Sequence, residues 1–334
     1  MNLRKIFITG GAGYVGSKLV PHLLELGYEV AVYDIMFFTD NFLPKNNKNL
    51  KIIKGDIRDL NKLKEVSKNY DCFIHLACIS NDASFILNEK LSTSINLDCF
   101  DGMVKVAKQN LFKRFIYAST SSVYGISKEK NVTEEHELVP LTLYNKYKAM
   151  CEPILLNHTN NDFIGVIFRP ATVCGYAPRL RLDLSVNILT NNAINKKKIT
   201  VFGGDQLRPN LHILDYCEVV DKLISAETKS ISNKIYNVGN ENLSIMEIAK
   251  LAKDTVQNFY DLDDIKILKE DSNDKRSYHI NSDKIYNELN FKAKRTVKDA
   301  IQDLCFAFKG GKIKNSFDDD IYYNVKRLKR LNVE

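Results

Sequence analysis

The feature that most restricts what this chain can fold into is the run Thr9-Gly10-Gly11-Ala12-Gly13-Tyr14-Val15-Gly16, set between an apolar segment and an amphipathic one. Leu3 to Thr9 reads as a short β-branched strand, and residues 14–26 carry apolar side chains at helical spacing. Glycines at such a junction let the backbone approach a pyrophosphate, and the helix behind them offers unpaired N–H groups and its positive dipole end. Asp34 closes the next strand, 18 residues beyond Gly16 (34 − 16). A carboxylate there accepts hydrogen bonds from an adenosine ribose and repels a 2′-phosphate, and no Arg or Lys in Ile35-Met36-Phe37-Phe38 compensates. The run therefore predicts a dinucleotide site with NAD favoured over NADP, using Gly10, Gly13, Tyr14, Val15, Gly16 and Asp34. A tight turn followed by an ordinary strand-end aspartate is the alternative; the strand before and the helix after weigh against it.

The rest of the first half keeps the same rhythm. Strands are expected at Glu29 to Tyr33, Leu50 to Lys54, Cys72 to Leu76, Arg114 to Ala118 and Phe163 to Phe168, with helices near 59–68, 91–110 and 144–159. Such alternation predicts an α/β fold, a Rossmann-like doubly wound parallel sheet. After Arg169-Pro170 the rhythm weakens, and Gly, Pro and Arg gather in 171–181 and 203–209, as in loops that shape a smaller C-terminal substrate-binding lobe. A helix at 215–228 and a strand at Lys234 to Asn237 are expected to rejoin the main sheet. Further helices are expected near 244–257, 282–289 and 296–308. The cofactor domain is accordingly placed at 1–170 and 214–238, the lobe at 171–213 and 239–314, and a peripheral terminal helix at 315–334.

Composition narrows the class. The chain has 334 residues, 44% of them hydrophobic, enough for one α/β body with an attached lobe. Its net charge of +7 is dispersed, and Lys196-Lys197-Lys198 lacks aromatic interleaving, so a solvated face is favoured over a nucleic-acid site. The seven cysteines have no metal-ligand or disulfide spacing. No signal-peptide pattern opens the chain and no apolar stretch nears the roughly 20 residues of a membrane span. A cytoplasmic protein without membrane attachment is expected.

Two further patterns carry chemistry. Tyr144 and Lys148 lie four apart on a predicted helix, hence on one face, where an ammonium stabilises a phenolate and makes tyrosine usable as a base. Alone the pair could be a surface contact. The strand ending Ala118-Ser119-Thr120-Ser121-Ser122-Val123-Tyr124-Gly125 delivers hydroxyls to the same sheet edge and changes that balance.

With these residues on the page, the chain resembles an extended short-chain dehydrogenase/reductase of the nucleotide-sugar epimerase and dehydratase branch over about 1–310. The glycine start, Gly55-Asp56-x-x-Asp59, His75-Leu76-Ala77, Asn96 and the Thr120, Tyr144, Lys148 set match in order. The resemblance implies that Thr120 hydrogen-bonds the sugar hydroxyl being oxidised, Tyr144 removes its proton, and Lys148 binds the nicotinamide ribose and tunes Tyr144. It places Leu76, Ala77 and Arg169 to Val173 around the nicotinamide, with Thr172 toward the substrate. Asp56 and Ile57 fall where adenine would lie, although a plain loop Asp reads nearly as well. Arg208 and Arg276 match phosphate-side arginines, and Asn187 a helix-borne substrate contact; each could equally be a surface group. Ser80 either touches the sugar or belongs to a capped helix start. Cys78, Cys174, His75 and His212 read as packing or strand-end hydrogen bonding.

The segment Arg169 to Asn187 is similar to a bacterial subgroup that includes GDP-heptose 4-dehydrogenases acting on surface polysaccharide precursors. Dehydratases of the branch carry Asp-Glu after the catalytic threonine; here Ser121 and Ser122 stand there. A 4-epimerase of nucleoside-diphosphate sugars is the expectation, a 4-dehydrogenase or reductase the alternative, and a non-catalytic NAD-sensing regulator a third reading. A homodimer through the helices near 91–110 and 144–159 is implied by the resemblance.

Overall fold

In the computed structural model, residues 3–129, 131–272 and 277–333 are described. The expected parallel sheet is present. Its strands are β1 (Lys5–Thr9), β2 (Glu29–Asp34), β3 (Leu50–Lys54), β4 (Cys72–His75), β5 (Arg114–Ala118) and β6 (Ile164–Pro170). After β7 (Thr172–Cys174), β8 (Lys198–Phe202) and β9 (Leu207–His212), the chain returns as β10 (Lys234–Val238), followed by β11 (Glu241–Ser244) and β12 (Lys266–Glu270). Spatially the order is β10-β6-β5-β4-β1-β2-β3, all parallel. Strand order reverses at β1, which pairs with β2 on one side and β4 on the other, so a crevice opens beyond the carboxyl ends of β1 and β4.

Register fixes two rows of side chains across the centre. Phe7, Phe73 and Phe115 are aligned on β1, β4 and β5, with ring centroids 5.4 and 4.7 Å apart, and pack one side of the sheet. Two residues further on, the row is Thr9, His75 and Tyr117. The Thr9 hydroxyl lies 2.7 Å from His75 Nδ1, and the imidazole stacks on Tyr117 at 5.7 Å. Burial first, and the Lys148 charge second, holds His75 well below the usual imidazole pKa, so it is neutral. The strand-end hydrogen bond expected of this histidine is what forms.

The smaller body contains two short sheets, β11-β9-β7 and β12-β8, against helices Ser185–Lys196, Ile245–Tyr260 and Val297–Lys309. Sequence periodicity gave no strand for β7, β8, β9, β11 or β12, because each is short and embedded in Gly- and Lys-rich surroundings. Apolar residues of β7, β8, β11 and β12 nevertheless reach a common core with Val186, Ile248, Val256 and Ile301, while Leu211 of β9 packs into the main-sheet cluster.

Three expectations change. The single helix near 91–110 is instead Glu89–Thr93, a π-helical turn Ser94–Asp98 and Phe100–Gln109. The wide turn aims Asn96 at the crevice wall, where its amide bonds both the N–H and C=O of Ile79, at 2.9 and 3.0 Å. The segment 315–334 is not peripheral: it makes a turn at Asp320–Tyr322 and a helix Asn324–Arg330 that lies across the crevice. Leu328 is buried in the cluster that includes Ile57, and Leu182 N–H donates to Tyr322 C=O at 2.9 Å. Its Lys and Arg content hid two apolar anchors. Third, β6 runs through Arg169, which is thereby turned into the interior.

All seven cysteines are unpaired, and the described residues contain no cluster of three His, Cys, Asp or Glu able to hold a metal ion. No helix among them is long and apolar enough to cross a membrane.

Candidate active site

A cavity of 490 Å³ occupies the crevice. Its walls include Gly10, Gly13, Tyr14, Val15, Gly16, Asp34, Asp56, Ile57, Leu76, Ala77, Ser80, Thr120, Tyr144, Lys148, Thr172 and Arg208, so most of the expected site residues converge. Asn187 is not among them, and Arg276 lies outside the described residues.

At one end the glycine loop closes on its neighbours. Gly10 has φ +77°, and a Cβ there would run into the backbone of Ala77; a Cβ on Gly16 would meet the Gly11 carbonyl. The helix Gly16–Glu25 that follows has no side-chain cap; Ser17 and Lys18 N–H already donate to the Gly13 and Val15 carbonyls, and the N–H groups of Tyr14, Val15 and Gly16 are left for a ligand. Asp34 is held by the N–H groups of Ala12 at 3.0 Å and Met36 at 2.8 Å. Burial raises its pKa, and these two donors oppose the rise. A loop with no room for a side chain at Gly10 or Gly16, an open helix N-terminus and an oriented carboxylate fit the pyrophosphate and adenosine ribose of a dinucleotide. Asp56 lines the adenine end with Ile57, its carboxylate oriented by the ion pair with Arg58 at 2.5 Å.

At the other end stand Thr120, Tyr144 and Lys148. Thr120 follows β5 and its hydroxyl accepts from Ser122 N–H at 3.2 Å. The helix Leu143–His158 is capped by Thr142, whose hydroxyl in turn donates to Asp82 at 2.6 Å. This cap starts the helix so that Tyr144 and Lys148 both face the cavity. Lys148 is 4% exposed, its Nζ donating to Ala118 C=O at 2.8 Å while lying 5.0 Å from the centre of the Tyr117 ring. Burial raises the Tyr144 phenol well above its ordinary pKa; the Arg181 charge opposes that rise.

Behind this set is a buried polar scaffold that sequence reading did not identify. Glu152 holds Arg169 through two oxygens at 3.0 and 2.6 Å and accepts from Ser119 at 2.6 Å. Arg169 also donates to Tyr124, which donates to Asn237. Arg169 is therefore a support for β5, β6 and β10, while Pro170 to Val173 alone reach the cavity. Asn187 is corrected likewise: fully buried, it accepts from Gly175 N–H at 3.0 Å and donates to Arg181 C=O at 2.9 Å and to the Tyr14 hydroxyl at 3.3 Å. Tyr14 spends its hydroxyl on Gly175 C=O at 2.7 Å, so it joins the glycine loop to the lobe and offers a ligand only its ring.

Ser80 accepts from Arg181 at 3.2 Å and from Asn324 at 2.9 Å. Arg208 stacks on Tyr278 at 4.9 Å on the lobe side. Arg179, Arg181, Asp183 and Asn324 were missed as cavity residues. The signal was present as a two-residue alternation, since Leu180 and Leu182 are buried apolar positions and the charged residues between them face the other way. Cys174 and His212 have the roles expected of them, the first packed in the lobe core and the second capping the helix Ile213–Ser225 through Leu214 N–H.

The sequence profile of the NAD dependent epimerase/dehydratase family matches residues 6–239, more than half of the chain. The chain belongs to this family. As a member of it, the protein is an NAD-dependent enzyme of the extended short-chain dehydrogenase/reductase branch. Among its relatives, the dTDP-glucose 4,6-dehydratase of Streptomyces niveus is 24% identical over 265 residues, covering 74% of this chain and 76% of the relative. UDP-glucose 4-epimerase 2 of Oryza sativa subsp. japonica is 26% identical over 279 residues, covering 74% and 68%. The solved UDP-glucuronic acid 4-epimerase of Bacillus cereus, in complex with UDP-glucuronic acid and NAD, superimposes with a TM-score of 0.79 at 25% identity over 92% of this chain and 99% of that one. Family members thus include both epimerases and dehydratases.

Proposed function

We propose that this family member is a nucleotide-sugar epimerase acting through oxidation at C4, with a nucleoside-diphosphate sugar as substrate, in the supply of surface polysaccharide precursors. The observation that carries the reading is the meeting of Thr120, Tyr144 and Lys148 in one cavity with the glycine loop, without an acidic pair beside Thr120. Ser121 and Ser122 stand where a dehydrating acid and base would be, and the nearby Glu152 is consumed by Arg169 and Ser119.

In this reading Thr120 orients the C4 hydroxyl, and Tyr144, as phenolate, takes its proton. Lys148 supplies the positive charge; one of its three donors is spent on Ala118 C=O, leaving two for the cofactor ribose and Tyr144. Asp34 receives the adenosine ribose hydroxyls, and Leu76, Ala77 and Thr172 line the nicotinamide end. Arg208, from β9, meets the substrate diphosphate, since a guanidinium fork matches phosphate oxygens. NAD, when bound there, would supply the hydride acceptor and donor for inversion at C4. Tyr144 then gives the proton it took back to the new C4 oxygen, with Thr120 hydrogen-bonding that oxygen. We further propose a homodimer through the helices Phe100–Gln109 and Leu143–His158; a monomer mass in sedimentation at micromolar concentration would contradict it.

The test is incubation of the purified protein with UDP-, GDP-, CDP- and dTDP-sugars, including GDP-heptose, with absorbance at 340 nm and NMR of the products. Inversion at C4 without lasting NADH establishes the epimerase. Persistent NADH or a released 4-keto sugar makes the enzyme a 4-dehydrogenase, and inertness toward every sugar by NAD-loaded protein favours a regulator.

A further inference from the structure

The loop between β7 and the helix Ser185–Lys196 carries Arg179-Leu180-Arg181-Leu182-Asp183. Leu180 and Leu182 are buried with Tyr14, Ile213 and Tyr322, which turns the alternate side chains toward the cavity. Two guanidinium groups thereby enter the same cleft, but their charges are treated differently. Arg181 is neutralised by Asp183 through two contacts at 2.8 and 3.2 Å and also donates to Ser80. Arg179 is 2% exposed and has no carboxylate within ion-pair distance among the described residues.

What surrounds Arg179 positions it without cancelling its charge. One terminal nitrogen donates to the Asn324 amide oxygen at 2.6 Å, and the guanidinium carbon lies 3.6 Å from the centre of the Phe38 ring. Its Nε is buried with no acceptor. Burial first and the Arg181 charge second push its pKa down to about 9, while Asp183, Asp34 and Tyr14 oppose the fall. A guanidinium remains protonated at neutral pH, so the cost of that environment is borne by the ligand-free protein. Its backbone N–H donates to Ser17 Oγ at 3.1 Å, which seats the residue beside the uncapped N-terminus of Gly16–Glu25. An unpaired buried cation and an open helix N-terminus thus face one space, and the group that satisfies both is a diphosphate.

We propose that Arg179 is the lobe's clamp on the cofactor pyrophosphate, closing the glycine loop from the opposite wall and supplying the charge that its uncharged backbone lacks. The inference rests on the dinucleotide placement described above. It implies that the residue is costly in the empty protein and favourable in the loaded one, a pairing that a packing role would not produce.

The experiment compares wild type, Arg179→Met and Arg179→Lys, stripped of dinucleotide, by calorimetric titration with ADP, adenosine, 2′,5′-ADP and NAD, and by thermal unfolding. Expected for Arg179→Met is a roughly 10- to 100-fold loss of ADP and NAD affinity, as for one charged hydrogen-bonded contact, with adenosine affinity unchanged. The ligand-free variant should unfold no lower than wild type, and Arg179→Lys should recover part of the ADP affinity. Equal ADP affinity in wild type and Arg179→Met overturns the assignment, as does an equal loss for adenosine, which would make Arg179 a prop for Phe38. Tighter binding of 2′,5′-ADP than of ADP by wild type would assign the charge to a 2′-phosphate instead. A wild type that binds neither ADP nor NAD would overturn the cofactor placement itself, and this assignment with it.

Discussion

Lys148 Nζ donates to the carbonyl of Ala118 at 2.8 Å, joining the helix that carries Tyr144 to the strand that ends at Thr120. With the Tyr117 hydroxyl donating to Lys148 C=O at 3.3 Å and Ser119 to Glu152 at 2.6 Å, this contact holds the helix and the strand end together. Replacing Lys148 by Met removes both the positive charge and this tie. The Tyr144 phenol, already raised by burial, then rises further, and because the phenolate is the working form, the ascending limb of kcat/KM moves to higher pH. Tyr144→Phe should lower kcat by about 10²- to 10⁴-fold with NAD binding retained. A pH profile of kcat/KM together with NAD titration checks both; full turnover by Tyr144→Phe would contradict the assignment.

The Glu152–Arg169 pair predicts a stability effect. Both side chains are 3% exposed. Glu152→Ala leaves a buried guanidinium without its counter-charge and should destabilise the protein by about 3–5 kcal/mol. The double variant Glu152→Leu/Arg169→Met should be markedly milder than Glu152→Ala. Urea unfolding of the three proteins measures the difference, and a double variant worse than the single would show that packing, rather than charge, dominates.

His75 predicts how stability depends on pH. Its folded pKa is depressed by burial, while the unfolded chain titrates near the ordinary value of about 6.5. The unfolded state therefore binds the proton first. Stability from neutral His75 is complete above about pH 6.5 and is lost as pH falls from there toward the folded pKa. His75→Gln should flatten the fall in melting temperature between about pH 6.5 and 5, as followed by thermal unfolding across that range.

Gly10→Ala tests the loop. The backbone at φ +77° disfavours any side chain by about 1–2 kcal/mol, and here the added methyl also meets the Ala77 backbone. Lower melting temperature and weakened NAD binding are expected together. Gly27 shares a positive φ, +84°, with nothing within 4 Å of its would-be Cβ. Gly27→Ala should therefore lower stability alone, leaving NAD affinity as in wild type.

The sheet and the cofactor loop were readable because each strand from β1 to β6 is an apolar run bounded by turn residues, and because the glycines sit between a strand and a helix. Tyr144 and Lys148 were readable from helical spacing. Asn187 was misplaced because spacing says which residues share a helix but not which side that helix turns inward; contacts with Gly175, Arg181 and Tyr14, all outside the helix, decide it. Arg179 and Arg181 were hidden in a stretch whose Gly and Pro content reads as loop, although the leucines between them are core residues. Asn324 escaped notice because its partners, Arg179 and Ser80, lie 145 and 244 positions away.

The π-helical turn at Ser94–Asp98 has a consequence for how this gene can change length. Such a turn holds one residue more than an α-helical turn, and that surplus is what brings Asn96 to Ile79. Losing a single codon there would restore a regular helix while rotating one flank against the other by roughly 100°. Either Asn96 or the apolar face of Phe100–Gln109, with its buried Met103, Val104 and Ala107, would then point the wrong way. Substitutions at exposed positions of this segment are tolerable, whereas a one-residue deletion is not, so the extra residue is fixed in place by the two surfaces it serves.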